Sequence, residues 1–438
     1  MADVAIVGGG ILGLTLALRL ATAGRRVEVY EGAAAPGGLA APHRIGDFTW
    51  DRFYHVMLES DADLGALLDE LGLREHVSWA TTRTGFYTDG RFHSLSSSLE
   101  FLRFSPLSLV DKGRLAATII HASRITDGRP LESIPVERWL RHWSGDRTFE
   151  RIWRPLLEAK LGSNWQLASA SFIWAIIARM YAARRSGLKR ERFGYVSGGY
   201  ETVIGALRAR LDAKGVTLRT GTSVREVREE GGRVILGFSD GMSRDAGAAV
   251  LTVPATRIAA ICPQLTRDEQ VRLDRVVYQG VICASMILDR PLAGYYVTNI
   301  TDVGFPFTTV IEMTALVDRA KFAGHTLAYV PRYCTRDDPW WQKTDEEVRG
   351  LFLAGLQRIY PDLTEDSVRA VVVSRAREVQ ALPTIDYSTL ALPATRTSLP
   401  RVFIVNSAQI VNGTLNANQA VGLANSKAAE LLPMLPAA

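Results

Sequence analysis

The sequence predicts an α/β chain of two interleaved domains, and three observations carry that reading. An apolar strand runs into a glycine-rich turn and then a helix within the first twenty residues. Two later segments repeat the pattern of a loop rich in glycine or asparagine entering an amphipathic helix. The 438 residues, 47% hydrophobic and 22% charged, are ordinary globular composition. They exceed the roughly 250 to 300 residues at which one core usually divides.

Val4 to Val7 form the first strand, which ends in Gly8-Gly9-Gly10-Ile11-Leu12-Gly13. The helical pattern then runs through Leu14, Ala17, Leu18 and Leu20. Gly8 permits the tight turn, Gly10 lets the backbone approach a pyrophosphate, and Gly13 lets helix and strand pack closely. The helix opens at Ile11 and Leu12, with its N-terminus facing the phosphate charge. A second strand, Val27-Glu28-Val29-Tyr30, ends at Glu31, which stands 18 residues beyond Gly13. A carboxylate there accepts ribose hydroxyls, so the unit is a dinucleotide-binding unit of the Rossmann type. Gly37-Gly38 follow where a loop must pass close to another phosphate or a ribityl chain.

The middle block begins at Tyr195-Val196-Ser197-Gly198-Gly199-Tyr200-Glu201, and its helix carries Val203, Ile204, Leu207 and Leu211 on one face. That helix stops at Gly215, a strand follows through Val216, Leu218 and Thr220, and the chain reaches Thr222-Ser223-Val224. A hairpin turning at Asp240-Gly241 leads to a strand from Ala249 to Val253 that ends at Pro254. The last block runs from the strand Val402 to Val405 through Asn406-Ser407 and the loop Asn412 to Gln419 into a helix from Ala420 to Leu432.

The glycine loop, Glu31, Gly37-Gly38 and the two later blocks together resemble the flavin superfamily of protoporphyrinogen oxidases, carotenoid desaturases, amine oxidases and, more distantly, UDP-galactopyranose mutases. The resemblance implies FAD as cofactor. It also implies that the backbone at Val224 meets the adenine and that the Leu415 and Asn416 loop meets the flavin end. The sequence departs from the family pattern twice. Leu39 and Ala40 stand where many members have an arginine, and Asn406-Ser407 replaces Gly-Asp, although both side chains can still hydrogen-bond a phosphate. On this reading residues 1–57, 193–262 and 396–438 form the FAD-binding domain, and 58–192 and 263–395 form an α+β substrate domain. The first substrate segment is mostly helical, with a helix from Asp63 to Leu71 and a long stretch from Phe149 to Arg185. The second has strands such as Val281 to Leu288 and a helix from Asp345 to Tyr360.

FAD carries its own two-electron chemistry, so the protein must place a substrate carbon and tune charge. Asp51-Arg52-Phe53-Tyr54-His55 matches the family's loop across the flavin, with an aspartate and a histidine four residues apart. His55, Arg52 and Tyr54 are the candidate catalytic residues, the bland reading being a histidine satisfied in a polar core. Flavin amine oxidases keep a midchain lysine and an aromatic pair at the ring. Here no lysine lies between Lys214 and Lys321, and Asn412 to Gln419 has no aromatic residue. These absences argue against simple oxygen-driven amine oxidation.

Two functions stay open. One is an FAD-dependent oxidoreductase that removes a hydride from a small or medium substrate at a C–N, C–O or C–C position. The other is a non-redox flavin mutase or isomerase on a sugar nucleotide or glycan precursor, suggested by the Asn412 loop and His55. A flavin binder without catalysis would leave the large second domain unexplained.

Arg151, Arg154, Lys160, Arg179, Arg184, Arg185, Lys189, Arg190 and Arg192 read as an anion site or, for most of them, as a solvated helix face. Arg154, between Trp153 and Pro155, is expected to be partly buried. Trp165, Phe172, Ile173, Trp174, Ile176, Ile177 and Met180 could rest on an anionic membrane or pack in the core. The net charge of +5 is spread over 51 basic and 46 acidic residues, which argues against nucleic acid. Cys262, Cys283 and Cys334 are far apart, without metal-site spacing, and no metal is expected. They read as small hydrophobes in a reducing compartment, and no apolar run reaches ~18 residues, so a cytoplasmic protein with a small-molecule substrate is expected.

Overall fold

A computed structural model describes residues 2–96, 98–184, 192–411 and 413–436. Arg185, Lys189, Arg190, Asn412 and the side chain of Arg184 lie outside the described residues.

Five strands run parallel in the order Thr217–Arg219, Val27–Tyr30, Ala2–Val7, Ser243–Leu251 and Val402–Ile404. The chain begins in the middle of the sheet and winds outward both ways. This makes the carboxyl end of Ala2–Val7, beside that of Ser243–Leu251, the topological switch point where such sheets bind ligands. Ala2–Val7 is buried along its whole length, as a central parallel strand covered on both faces must be. The N-terminal half of Ser243–Leu251 carries an antiparallel extension with Arg233–Phe238 and Val224–Glu230.

One face of this sheet is covered by the helix Ile11–Thr22, packed among Tyr200–Ala213, Ala417–Leu431 and Ala62–Glu70. Leu64, Leu67 and Leu68 share a core with Leu14, Leu18 and Val421. The helix Ala62–Glu70 therefore packs with the nucleotide-binding sheet, although it lies beyond the boundary expected at residue 57. Tyr200–Ala213 joins the same core through Val203, Ile204, Leu207 and Leu211. The strand before it, Arg192–Val196, pairs instead with Met57–Leu58 and Val77–Thr81.

A second sheet has the order Val368–Ala381, Tyr278–Leu288, Thr326–Cys334, Thr309–Glu312, Val297–Ile300, Thr84–Thr88 and Arg91–Ser94. Its last two strands come from the segment expected to be mostly helical. Tyr278–Leu288 is buried throughout because both faces are covered. Asp345–Ile359, capped by Thr344 and Glu347, packs Val348, Phe352 and Leu356 on one face. The other face meets Trp50, Phe53 and Tyr195, which brings the sheet to the loop that follows Gly37-Gly38.

The remaining helices, Leu109–Arg124, Val136–Ser144, Arg154–Leu161 and Ala170–Arg184, close around a third core. Trp165, Phe172, Ile173, Trp174 and Ile177 are buried in it, while Ile176 and Met180 are half-buried. Of the two readings of this stretch, core packing accounts for its apolar side chains. Arg154 departs from expectation. Its side chain is exposed and paired with Glu150 and Glu158, because the helix turns Trp153 and Leu157 inward and leaves position 154 outside. Among the described residues no helix is long and apolar enough to cross a membrane.

Candidate cofactor and substrate site

The glycine turn sits at the switch point. A Cβ on Gly13 would stand 2.0 Å from the Gly8 carbonyl oxygen, so only glycine lets the helix start this close to the strand. Gly10 precedes the helix without a side-chain cap, and the N–H groups at Ile11 and Leu12 open its first turn. Such N–H groups have no partner within their own helix and face the positive end of its dipole, which suits a pyrophosphate. The second glycine loop docks on the first. Gly37 N–H donates to the Gly9 carbonyl at 2.8 Å. Gly38 has a φ of +59°, and a Cβ there would lie 3.2 Å from Gly10 Cα. The two backbones form a cradle that any side chain would fill. Leu39 continues this loop among residues packed against the second sheet.

Glu31 follows the second strand of the sheet. One carboxylate oxygen accepts the Gly9 N–H at 2.7 Å and the other the Ala33 N–H at 2.8 Å. These bonds hold the carboxylate over the turn and leave each oxygen a further lone pair. Val224 opens its strand as a buried residue, and its carbonyl accepts Arg257 Nη2 at 3.0 Å.

Asn406 is fully buried, its amide donating to the Val253 carbonyl at 3.1 Å and its oxygen accepting the Ala408 N–H at 3.1 Å. The side chain thus ties two strand ends together, while Ser407 begins the short helical turn Ser407–Gln409 and stays half-exposed. Asn416 caps the final helix by accepting the Gln419 N–H at 3.0 Å, and donates to the Thr414 carbonyl. Leu415 sits half-buried in the same loop.

The Asp51–His55 segment passes from the cradle to the second sheet. The Arg52 N–H donates to the Ala41 carbonyl at 3.2 Å, tying it to the Gly37-Gly38 loop. Asp51 is buried, accepts the Tyr200 N–H at 2.7 Å, and so caps the helix Tyr200–Ala213 from a distant strand. Burial pushes its carboxyl up to about 7, against the Tyr200 bond that holds it down. His55 Nδ1 lies 3.8 Å from the Asp51 carboxylate, beyond hydrogen-bond reach. Burial lowers His55 to about 4, so its ring is neutral near pH 7, whereas the Asp51 carboxyl changes its charge in that range. The two share a slot of about 10 Å³ with Trp50, Gly199, Tyr200 and Met313, and the His55 and Tyr200 rings lie 4.9 Å apart.

Tyr54 reaches the other way. Its hydroxyl is 2.7 Å from that of Tyr333 on the second sheet, and Lys160 Nζ donates to Tyr333 Oη at 2.9 Å. Burial raises both phenols, Tyr333 to about 12. The local sequence around Tyr333 has no motif that marks it, because its partner is 279 residues away. Arg179 is half-buried, bound to the buried Asp61 carboxylate at 3.0 and 3.1 Å and to Thr414 Oγ1 at 3.3 Å. It latches the helix Ala170–Arg184 to the final loop beside a cavity of about 260 Å³ lined by Ser60, Trp174 and Asn418.

The strand ends, the two glycine loops and the helix N-termini offer a continuous backbone surface for a dinucleotide, leading to a polar pocket under the second sheet. The close backbone approaches at Gly13 and Gly38 leave room for a cofactor phosphate that a side chain would take.

Comparison with known proteins agrees. Over 281 residues the chain is 25% identical to protoporphyrinogen oxidase 2 of Arabidopsis thaliana, covering 63% of this chain and 49% of that protein. The chain thus matches about half the length of that relative. A crystal structure from an Exiguobacterium species carrying the name protoporphyrinogen oxidase superposes with a TM-score of 0.78 at 20% identity, over 98% of both chains. A reduced UDP-galactopyranose mutase gives 0.76 at 16% identity, over 100% of this chain and 97% of the other. These structural likenesses show the fold. Residues 13–418 match the model of the flavin-containing amine oxidoreductases, and with the cradle described above the chain belongs to that FAD-dependent family.

Proposed function

We propose that the protein is an FAD-dependent oxidoreductase that removes a hydride from a C–N, C–O or C–C position of a small or medium organic substrate. The observation that carries this is the continuity of the glycine cradle with the buried Asp51–His55 pocket and Tyr54, through the bond from Arg52 N–H to the Ala41 carbonyl. FAD, when bound, supplies the two-electron acceptor.

The protein's share is position and protons. His55, lowered to about 4 by burial, offers a neutral ring as a hydrogen-bond partner near pH 7. Asp51, raised to about 7, sits where it can share or release a proton. Tyr54 and Arg52 face the substrate from the same segment. The non-redox alternative is not favoured, since the family is one of oxidoreductases and the mutase likeness is one of fold. A cytoplasmic setting is proposed with this function, supported by three buried, unpaired cysteines.

The test is anaerobic mixing of the purified yellow protein with candidate substrates. Loss of the visible flavin absorbance, recovered when an acceptor is admitted, supports the reading. Acceptor-free isomerisation by prereduced protein, with no absorbance change on mixing, would overturn it.

A further inference from the structure

Among the described residues Lys160 is a cation without a counter-charge, on the side of the fold that meets Tyr54 of the Asp51–His55 segment through Tyr333. It stands in the last turn of the helix Arg154–Leu161, whose outer face carries the exposed Arg154 pairs. The next turn is fixed to the second sheet by Asn164, which donates to Gln279 Oε1 at 3.2 Å. Lys160 is half-buried, and its ammonium lies 4.4 Å from the centroid of the Tyr333 ring while donating to that hydroxyl. Among the described residues its hydrogen-bond partner is Tyr333, and it has no ion-pair partner. Arg52, half-buried beside Tyr54, likewise has none.

Among the described residues no carboxylate pairs with Lys160. Asp51 accepts from the Tyr200 N–H. A partly desolvated ammonium without an anion is unfavourable, and the deficit is removed when an anion with free lone pairs arrives.

The hydrogen count points the same way. The ammonium has three N–H groups and uses one on Tyr333. Tyr333 and Tyr54 share one bond between their hydroxyls, so one of the two O–H groups is left over whichever of them donates. Lys160, Tyr333 and Tyr54 therefore form an arm with spare donors and a net positive charge. A cationic amine would meet repulsion there, whereas a carboxylate would find both charge and donors.

We propose that the Lys160–Tyr333–Tyr54 arm docks a carboxylate of the substrate, so that the substrate class is a carboxylic acid rather than an amine. The inference rests on the flavin oxidoreductase reading of the Asp51–His55 segment and deepens it by naming the substrate class. Lys160 carries the charge, and Tyr333 positions it by accepting one N–H.

The test is calorimetric titration of the FAD-loaded protein with straight-chain carboxylates and with amines of matched chain length, alongside the perturbation of the flavin spectrum. FAD content is measured first, and a protein that holds no FAD overturns the functional reading instead of this one. The expected result is binding of carboxylates, with matched amines at least about tenfold weaker. Lys160→Met should weaken carboxylate binding by at least about tenfold, and Lys160→Arg by no more than about threefold, since it keeps the charge. Tyr333→Phe, which removes the oxygen that holds the ammonium, should give an intermediate loss and carries the test should Lys160→Met fail to fold. Arg154→Met, on the outer face of the same helix, should bind as the parent does. Unchanged carboxylate binding in Lys160→Met and Tyr333→Phe, amines binding as tightly as carboxylates, or no carboxylate binding to FAD-loaded protein would overturn the proposal.

Discussion

Replacing Asp51 by Asn should stabilise the protein more at alkaline than at acidic pH. Asp51 is buried, and its carboxyl stands at about 7 against an ordinary 3.8. The folded state then binds more protons than the unfolded state between these values, so stability falls as pH rises through that window. At about 1.36 kcal/mol per unit, the cost grows from roughly 2 kcal/mol at pH 5.5 to roughly 4 kcal/mol above pH 7. Asn keeps an oxygen for the Tyr200 N–H and carries no charge, so it removes the cost without removing the bond. His55 works in the opposite sense. Its value is lowered to about 4 from 6.5, so its stability contribution is full above 6.5 and lost as pH falls toward 4. In wild type the two slopes largely offset between pH 4 and 6.5, and the net fall appears above that. The gain of Asp51→Asn over wild type should be larger at pH 8 than at pH 5.5 by about 2 kcal/mol, roughly 1 to 3 °C in Tm for a chain of this size. Thermal unfolding of FAD-loaded wild type and variant at both pH values reads this directly. An equal gain at both, or a larger gain at pH 5.5, would refute the assignment of the raised carboxyl to Asp51.

Other substitutions separate cofactor binding, chemistry and stability. Gly38→Ala places a Cβ 3.2 Å from Gly10 Cα at a φ of +59°, and should weaken FAD binding at least about tenfold while leaving the circular dichroism spectrum unchanged. His55→Ala should keep the yellow colour and reduce turnover by about 100-fold in steady-state assays; unchanged turnover would reject its role. Arg179→Met leaves the buried Asp61 without its cation and should lower stability by about 2 to 3 kcal/mol in denaturant melts. Arg154→Ala removes only exposed pairs and should leave the midpoint where it was.

The nucleotide half of the fold was legible because its requirements are local. The residues from Gly8 to Gly13 must be close to one another in the chain to turn a strand into a helix, and the second strand was read to the residue at Val27–Tyr30. The apolar patterns of Val281 to Leu288 and Asp345 to Tyr360 also marked a strand and a helix, which run over Tyr278–Leu288 and Asp345–Ile359. What escaped the sequence is long-range. Asp51 reaches the Tyr200 N–H across 149 residues, and no local pattern announces a helix capped by a distant carboxylate. Lys160 was visible only as one of several basic residues, and its role depends on Tyr333, which comes from another strand. Arg154 was misjudged because its aromatic neighbour suggested burial, whereas helical spacing turns Trp153 inward and Arg154 outward. The helix Ala62–Glu70 has the expected leucines, yet the periodicity does not say which sheet they pack on.

The decisive measurement is the identity and amount of cofactor released when the purified, reconstituted protein is denatured, read by absorbance and chromatography. The cradle of Gly8 to Gly13, Glu31 and Gly37-Gly38 predicts FAD at one per chain, with less retained by Gly38→Ala. A colourless protein that takes up no FAD, or one that binds a nicotinamide dinucleotide in its place, would contradict it.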